Sequence, residues 1–381
     1  MYDLDQYGAM IVDRTRTSAY MRAIARAVRP GDVVVDLGCG PGLLALLACR
    51  AGAKRVYAIE GNESVAFARE LAAANGYAER IAILHGSSRR MELPERANVI
   101  VSDLRGVLPL LGDAIASIDD ARERFLAPGG VMIPASDRLR GALADAAEFY
   151  AQIISPWKDS VDDVRLSPLR ERALNTTYSV RFDAGKMMSE AQEWGRFDYP
   201  SGARGRAGAK LRFEALRDGT VHGICLWFDT VLFQEIGYSS APAAPGAPET
   251  VYGQLFLPWL EPVKVAAGQE ILVDLHADPV GDGYIWRWNT TIPGAANART
   301  LQQSTMEGAP FSQELLRRRA TEFVPKASPF GQAEAWVLQS MNGTTSLQEI
   351  ADGAAARFPK VFRNSQEALQ AVSRLSDEFA L

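Results

Sequence analysis

Short apolar runs alternate with amphipathic stretches over the first third of the chain. Val33-Val34-Val35, Arg55 to Ile59, Ile81 to Leu84, Val99 to Val101 and Val131 to Ile133 read as buried strands. Between them, Leu43 to Ala51, Ser64 to Asn75 and Ile115 to Phe125 carry helical spacing, the last leading into a turn at Ala127-Pro128-Gly129-Gly130. Ahead of the first strand, Met10, Ile11, Tyr20, Ile24, Ala27 and Val28 form an apolar face, which predicts one helix over residues 1–30, stopped by Pro30-Gly31. Strands alternating with helices predict an α/β, doubly wound, Rossmann-like parallel sheet over residues 1–135.

The pattern changes after residue 135. Leu211 to Leu216, Val221 to Phe233, Gln254 to Leu257 and Ile271 to Leu275 read as strands, with turns at Arg217-Asp218-Gly219 and Ala266-Ala267-Gly268. A mainly antiparallel, β-barrel-like domain is expected over residues 136–310. Gly-rich Ser201 to Ala209 and Pro-rich Ala241 to Pro248 read as exposed loops within it. Residues 311–381 return to helical spacing, at Trp336, Leu338, Met341, then Leu347, Ile350, Ala354, Phe358, then Leu369, Val372, Leu375. With Asn342-Gly343 as a turn, this predicts a small helical or winged-helix unit.

Composition narrows the classes. A chain of 381 residues, 47% hydrophobic and 23% charged, is ordinary globular material for two or three units. Its net charge of -5 and lack of a long Lys/Arg tract argue against nucleic acid as a partner. Three cysteines, Cys39, Cys49 and Cys225, make no disulfide framework, and with three histidines no metal-ligand cluster is legible. No stretch approaches the ~18 apolar residues of a spanning helix, so no membrane role is expected and the cytoplasm is the expected compartment.

The chemistry concentrates in Asp36-Leu37-Gly38-Cys39-Gly40-Pro41-Gly42, which joins the first strand to a helix. Glycines let backbone turn sharply and approach a ligand with no Cβ in between, and the helix start behind them offers free N–H groups. The next strand ends in Glu60, placed to accept both hydroxyls of a ribose. A dinucleotide-binding fingerprint has this outline but lacks the acid leading the loop.

Asp36 to Gly42 together with Glu60 resembles the cofactor motif of class I methyltransferases that use S-adenosylmethionine (SAM). The likeness extends to one branch, the protein arginine methyltransferases. Met10 to Tyr20 is similar to that family's M-L-x-D-x-x-R-T-x-x-Y segment, and Ala51-Gly52-Ala53-Lys54-Arg55-Val56 to its A-G-A-x-x-V. Ser102-Asp103-Leu104-Arg105-Gly106 stands where the family has S-E-x-M-G, followed by Ala121 to Gly130. Trp227-Phe228-Asp229 and Val263 to Gly268 resemble pieces of its β-barrel domain, so the likeness spans about residues 1 to 295. The resemblance implies S-adenosyl-L-methionine as cofactor, Arg16 on its carboxylate and Glu60 on its ribose. Gly38 and Gly40 would lie close beneath it, with Met10, Asp36 and Ser88 around it.

The acceptor side departs from that family. Its first acceptor-loop glutamate is Asp103 here, its second falls on Gly112 beside Asp113, and its T-H-W becomes Thr250-Val251-Tyr252. The histidine that would pair with Asp13 is therefore missing, which leaves Asp13 without that partner. An intact cofactor motif beside an altered acceptor motif predicts retained SAM binding and a changed acceptor. Candidate catalytic residues are Asp103, to orient or deprotonate an amine or imidazole, Asp113, to assist it, and Tyr252, to wall the pocket. Trp286-Arg287-Trp288 reads as core more than as a peptide-stacking surface. Residues 145 to 175 are candidates for the arm through which the family forms dimers, so a homodimer is expected.

Residues 334 to 381 are similar to the PqqD-type winged-helix fold. That likeness implies capture of a leader peptide as an added strand on a sheet edge. The expected function is a SAM-dependent N-methyltransferase acting on a peptide or protein, with a ribosomally made peptide precursor as the finer expectation. Two alternatives stand beside it: a small-molecule amine or hydroxyl methyltransferase, and a non-catalytic SAM-binding scaffold.

Overall fold

The computed structural model describes residues 3–158, 160–162, 164–203, 205–244, 250–294, 298–310, 313–318 and 320–380. Two helices, α1 (Leu4–Val12) and α2 (Arg14–Ala27), precede the first strand, where a single helix was expected. Asp13 makes the break. Its N–H closes the last turn of α1 on Ala9, its backbone turns to φ -61°, ψ 96°, and its side chain caps the start of α2.

The parallel sheet follows: β1 (Val33–Leu37), β2 (Arg55–Glu60), β3 (Ile81–His85), β4 (Ala97–Ser102) and β5 (Leu126–Ile133), in the order β3-β2-β1-β4-β5. Its connecting helices are α3 (Leu43–Ala51), α4 (Val65–Ala74) and α5 (Ala114–Phe125). All five residues of β1 are buried, Asp36 among them, as expected of a central strand that opens on three valines. Strand order reverses at β1, and a sheet of this kind presents its crevice at such a reversal. One expected turn is absent. Ala127 to Gly130 lies inside β5, which starts directly at the end of α5, and a register shift between Ala97 and Val99 of β4 accommodates it.

Antiparallel structure then takes over. β6 (Ser136–Ala144) leads to α6 (Ala147–Ile154), the hairpin β7 (Ser160–Val161) and β8 (Val164–Arg165), α7 (Arg170–Leu174) and β9 (Tyr178–Val180). β10 (Gln192–Asp198), β11 (Ala207–Glu214), β12 (Gly219–Phe233), β13 (Ile236–Ser239), β14 (Gln254–Val265), β15 (Glu270–Val280), β16 (Gly283–Ile292), β17 (Arg299–Leu301) and α8 (Thr305–Gly308) complete it. One sheet runs β10-β6-β12-β14-β9 with β13 on β12, and the other β11-β15-β16-β17. Trp194 of β10 meets Trp286 of β16 at 5.6 Å between ring centroids, joining the two sheets. Trp286 and Trp288 are core residues, and Arg287 between them is exposed.

β6, β10 and β16 are among the strands that were not foreseen. β6 buries Asp137 completely, a polar residue that breaks the apolar signal, and β10 carries a bulge between Glu193 and Gly195 that breaks its period of two. In β16 only Trp286, Trp288, Thr290 and Ile292 are buried, an alternation partly carried by a threonine. The expected loop at Ser201 to Ala209 gives way to β11 at Ala207, and Ala203 is buried. Of the Ala241 to Pro248 loop, Ala241 to Ala243 are half-buried; residues 245–248 lie outside the described residues.

The chain divides into two units, Met1–Ala309 and Pro310–Leu381. The boundary expected near residue 135 falls inside the first, where one apolar core runs from the parallel sheet through both antiparallel sheets. The second contains α9 (Gln313–Arg318), and then α10 (Pro329–Ser340), α11 (Leu347–Arg357) and α12 (Ser365–Phe379), which pack around a core of Val337, Ile350, Phe362, Val372 and Leu375. Asn342 holds the turn before α11 by accepting the N–H groups of Thr344 and Thr345, and Ser346 with Glu349 forms a capping box. Leu338 and Leu347, expected on the apolar face, are exposed. Among the described residues this unit has no strand, so the sheet edge on which a winged-helix fold would take a peptide is not among them. Nor is any described helix long and apolar enough to cross a membrane.

Candidate active site

Gly38, Gly40 and Gly42 follow β1 with φ of +71°, +52° and +88°, a left-handed run open to glycine at little cost. A Cβ on Gly40 would stand 2.8 Å from Cε1 of Tyr7, and one on Gly38 would collide with Leu104. The loop is thus roofed closely by α1 on one side and by the segment after β4 on the other. Between them opens a cavity of about 390 Å³ lined by Gln6, Tyr7, Met10, Gly38, Gly40, Glu60, Asn62, Asp103 and Leu104. An adjoining recess adds Arg16, Ile11 and Cys39.

Glu60 is 9% exposed at the end of β2. Its Oε2 accepts the Gly40 N–H at 2.7 Å, and its Oε1 accepts Asn62 Nδ2 at 2.8 Å. One carboxylate therefore pins the glycine loop while forming part of the cavity wall. Asp36 takes a different place. It is wholly buried beneath the loop, lines neither recess, and has no hydrogen-bond partner for either oxygen among the described residues. Burial outweighs the pull of the nearby Ala45 backbone N–H and, aided by the neighbouring Glu60 charge, pushes its carboxyl up to about 7.

Beside the cavity, behind Asp103, runs a buried row of alternating charges. Arg16 Nε lies 2.5 Å from Asp103 Oδ2, Arg105 Nη2 lies 3.0 Å from Asp103 Oδ1, and Arg105 Nη1 lies 2.9 Å from Asp137 Oδ1. Tyrosine hydroxyls complete it. Tyr252 donates to Asp103 and accepts from Arg16 Nε at 3.1 Å, Tyr20 and Tyr238 accept from Arg105 Nη2, and Tyr199 donates to Asp137. Burial pushes the Asp103 carboxyl upward, but Arg16 and Arg105 together outweigh it and hold it at about 2. Asp103 is a fixed anion at any ordinary pH. The Arg16 and Arg105 guanidiniums lose solvation on burial, yet their carboxylate partners raise both above the usual range.

The expected site residues divide accordingly. Met10, Gly38, Gly40, Glu60, Arg16 and Asp103 come together at the cavity, and the Met10 carbonyl accepts Arg16 Nη1 at 3.3 Å. Tyr252 touches Asp103 and stacks on Tyr238 at 11° between ring planes, but does not line the cavity. Ser88 opens a short 3-10 turn outside the cavity, where Arg124 holds its carbonyl at 2.6 Å. Asp113 is exposed at the start of α5, bonded to Ser117, and is not brought to Asp103. Asp13, expected to lack a partner, accepts the Val251 N–H at 2.8 Å, so a backbone group replaces the missing histidine.

Sequence reasoning missed Arg105, the central cation of the row. The signal was present in Ser102-Asp103-Leu104-Arg105-Gly106, where the resembled family's motif has Met at the Arg105 position. An arginine two residues from the acceptor-loop acid needed a counter-charge. That charge, Asp137, lies 32 residues away on a strand not foreseen.

A glycine loop at the reversal of a β3-β2-β1-β4-β5 sheet, with an acid on the neighbouring strand end, defines a class I methyltransferase, whose cofactor is SAM. The cavity fits that cofactor, since it offers a Cβ-free cradle, a carboxylate for a diol, and Arg16 for a carboxylate. Residues 14–149 match the ribosomal protein L11 methyltransferase family, and residues 145–345 match the PRMT5 oligomerisation domain. A probable histone-arginine methyltransferase CARM1 of Oryza sativa subsp. indica is 32% identical over 290 residues, 70% of this chain and 53% of that protein. The probable histone-arginine methyltransferase 1.4 of Arabidopsis thaliana is 33% identical over 361 residues, 85% and 65% of the two. An arginine N(omega)-methyltransferase of Streptomyces achromogenes subsp. streptozoticus is 30% identical over 275 residues, 70% and 74%. The chain spans only 53% to 65% of the first plant relatives' length.

Several solved structures share the fold. The Trypanosoma brucei PRMT1 enzyme-prozyme heterotetrameric complex with AdoHcy gives a TM-score of 0.71 at 20% identity, covering 78% of this chain and 96% of that one. Arabidopsis thaliana protein arginine methyltransferase 10 gives 0.70 at 22%, covering 80% and 98%. The chain belongs to the protein arginine methyltransferase family.

Proposed function

We propose that this chain is a SAM-dependent N-methyltransferase whose acceptor is a nitrogen of a peptide or protein. The observation that carries this reading is the single cavity in which the glycine loop, Glu60 and Asp103 meet, with Arg16 in the recess beside it. Bound there, the cofactor would supply a methyl group activated by a sulfonium. Glu60 would accept hydrogen bonds from the ribose hydroxyls and Arg16 would donate to the carboxylate, while Tyr7 and Leu104 would cover the loop from above. In this division residues 1–135 hold the cofactor, residues 136–310 shape the acceptor side, and residues 311–381 serve recognition.

Calorimetric titration with S-adenosylhomocysteine tests the core of this. Wild type should bind, and Glu60→Ala should bind at least about tenfold more weakly, the equivalent of one lost charge-assisted contact. No binding by folded wild type would sink the reading.

The relatives' names favour a second reading, in which the acceptor is a guanidinium. Mass spectrometry of methylated peptides, locating the new methyl group, separates the two. The finer proposal, a ribosomally made precursor delivered by residues 311–381, has the support of a small helical unit with its own core. Removing that unit should then raise KM for a precursor and leave kcat unchanged. A homodimer is also proposed, testable by sedimentation. A cytoplasmic location is supported by three buried, unpaired cysteines, and fractionation of the native cells checks it.

A further inference from the structure

Behind Asp103, the carboxylate that lines the cavity, lies a guanidinium that belongs to the chain itself. The Arg105 side chain is wholly shielded from water, with Phe228 and Tyr238 rings 5.1 and 5.5 Å from its Cζ. It occupies Oδ1 of Asp103, while Arg16 and Tyr252 occupy Oδ2. The negative charge of Asp103, the carboxylate of this row that lines the cavity, is thus already matched by two fixed guanidiniums. Arg16, Asp103, Arg105 and Asp137 together sum to zero charge.

A guanidinium acceptor is a permanent cation whose planar fork seeks a free carboxylate. Here it would enter a charge-balanced, buried cluster and find no unclaimed anion among these groups. Burying a charge without a partner is strongly unfavourable. Amines carry the same handicap, because α-amino and lysine groups are mainly protonated at neutral pH. Imidazole, with an ordinary pKa near ~6.5, is mostly neutral and needs no counter-charge to enter.

We propose that Arg105 is a specificity-determining residue that turns the acceptor site away from guanidinium and towards the neutral imidazole of a histidine side chain in a peptide or protein. This rests on the methyltransferase reading above. The unprotonated ring nitrogen forms its bond to the methyl carbon as the carbon–sulfur bond breaks and that electron pair passes to sulfur. Positive charge moves from sulfur to the ring, and the total charge in the pocket does not change. The proton on the other ring nitrogen then leaves to water. No general base is required, in keeping with an Asp103 carboxylate already held by two arginines.

The test uses the full chain and two capped peptides, one with a single histidine and one with a single arginine as its only nucleophilic side chain. Affinity is measured by calorimetry in the presence of S-adenosylhomocysteine, and transfer is measured with methyl-labelled SAM. Wild type should bind and methylate the histidine peptide in preference to the arginine peptide by at least about tenfold. Arg105→Met combined with Asp137→Asn removes the buried pair without orphaning either charge, and should shift that ratio towards arginine by about tenfold or more. Arg105→Lys, which keeps the charge, should leave the ratio near wild type. Arginine preferred by wild type, or an unchanged ratio in the folded double variant, would overturn the proposal. So would transfer to neither peptide by a chain that binds S-adenosylhomocysteine. Absence of that binding would instead remove the methyltransferase reading beneath it.

Discussion

The Asp13 carboxylate bonds two backbone N–H groups that lie far apart in the chain. Its Oδ1 accepts from Arg16 at 2.9 Å, and its Oδ2 accepts from Val251, 238 residues away, at 2.8 Å. The first bond starts α2 so that Arg16 faces the cavity, and the second fixes the residue next to Tyr252. One buried side chain thereby sets Arg16 and Tyr252 in register. Asp13→Ala should cost about 1–2 kcal/mol by urea unfolding, for one lost cap and one orphaned N–H. It should also weaken S-adenosylhomocysteine binding. Asp13→Asn, which keeps one acceptor oxygen, should recover part of both.

Asp103 stands between two guanidiniums, so neutralising it leaves two buried cations facing Asp137 alone. Asp103→Asn should destabilise the first unit by about 3–5 kcal/mol. The pH dependence has a definite sign. The folded carboxyl is held at about 2, below its usual value of 3.8, so its contribution is complete above about pH 4 and is lost as pH falls towards 2. Denaturation midpoints of wild type and variant should differ by a constant amount from pH 5 to 8 and converge below pH 4.

Asp36 behaves in the opposite sense. Its folded carboxyl is raised to about 7 from an ordinary 3.8, so the folded state holds a proton that the unfolded chain releases. Its contribution is complete below about pH 4 and declines as pH rises towards 7. Asp36→Asn cannot ionise and should be more stable than wild type at pH 8, by on the order of 4 kcal/mol at most. The advantage should shrink towards pH 4, as thermal unfolding across that range would show. A variant equally stable relative to wild type at both pH values would contradict the buried, unpartnered carboxyl.

Asp113 sits exposed at the head of α5 with Ser117 as its contact, away from the acceptor row. Asp113→Ala should change kcat/KM by no more than about twofold, as expected for a surface substitution. A larger loss would mean that this loop moves inward when an acceptor binds.

Gly353 lies within α11, where alanine would ordinarily favour the helix by about 1 kcal/mol. A Cβ there would come within 2.8 Å of Trp336 Cη2, at the end of a rigid ring packed against Phe358. Overpacking costs about 1–3 kcal/mol and should outweigh the helix gain. Gly353→Ala should therefore lower the protection of α11 and α12 amides in hydrogen exchange.

The parallel sheet was legible in the sequence because local chemistry dictates it. β1 opens on three valines that must be buried on both faces, the glycines after it accept left-handed backbone, and Glu60 ends the neighbouring strand. Helix α3 matches its expected bounds, and the Asn342 turn with the Ser346 cap is likewise written in adjacent residues. What tertiary structure decided was where the charges find one another. Asp137 is polar, so β6 did not announce itself, yet its full burial is made tolerable by Arg105 and Tyr199. Asp13 bonds a backbone N–H, a partner with no side-chain signature in the sequence. Asp36 leads the glycine motif but lies beneath it, while Asp103 lines the cavity with its oxygens already claimed. Periodicity reports which face of an element is apolar. Pairing between charges brought together from distant segments depends on three-dimensional distance, and only the folded chain supplies that.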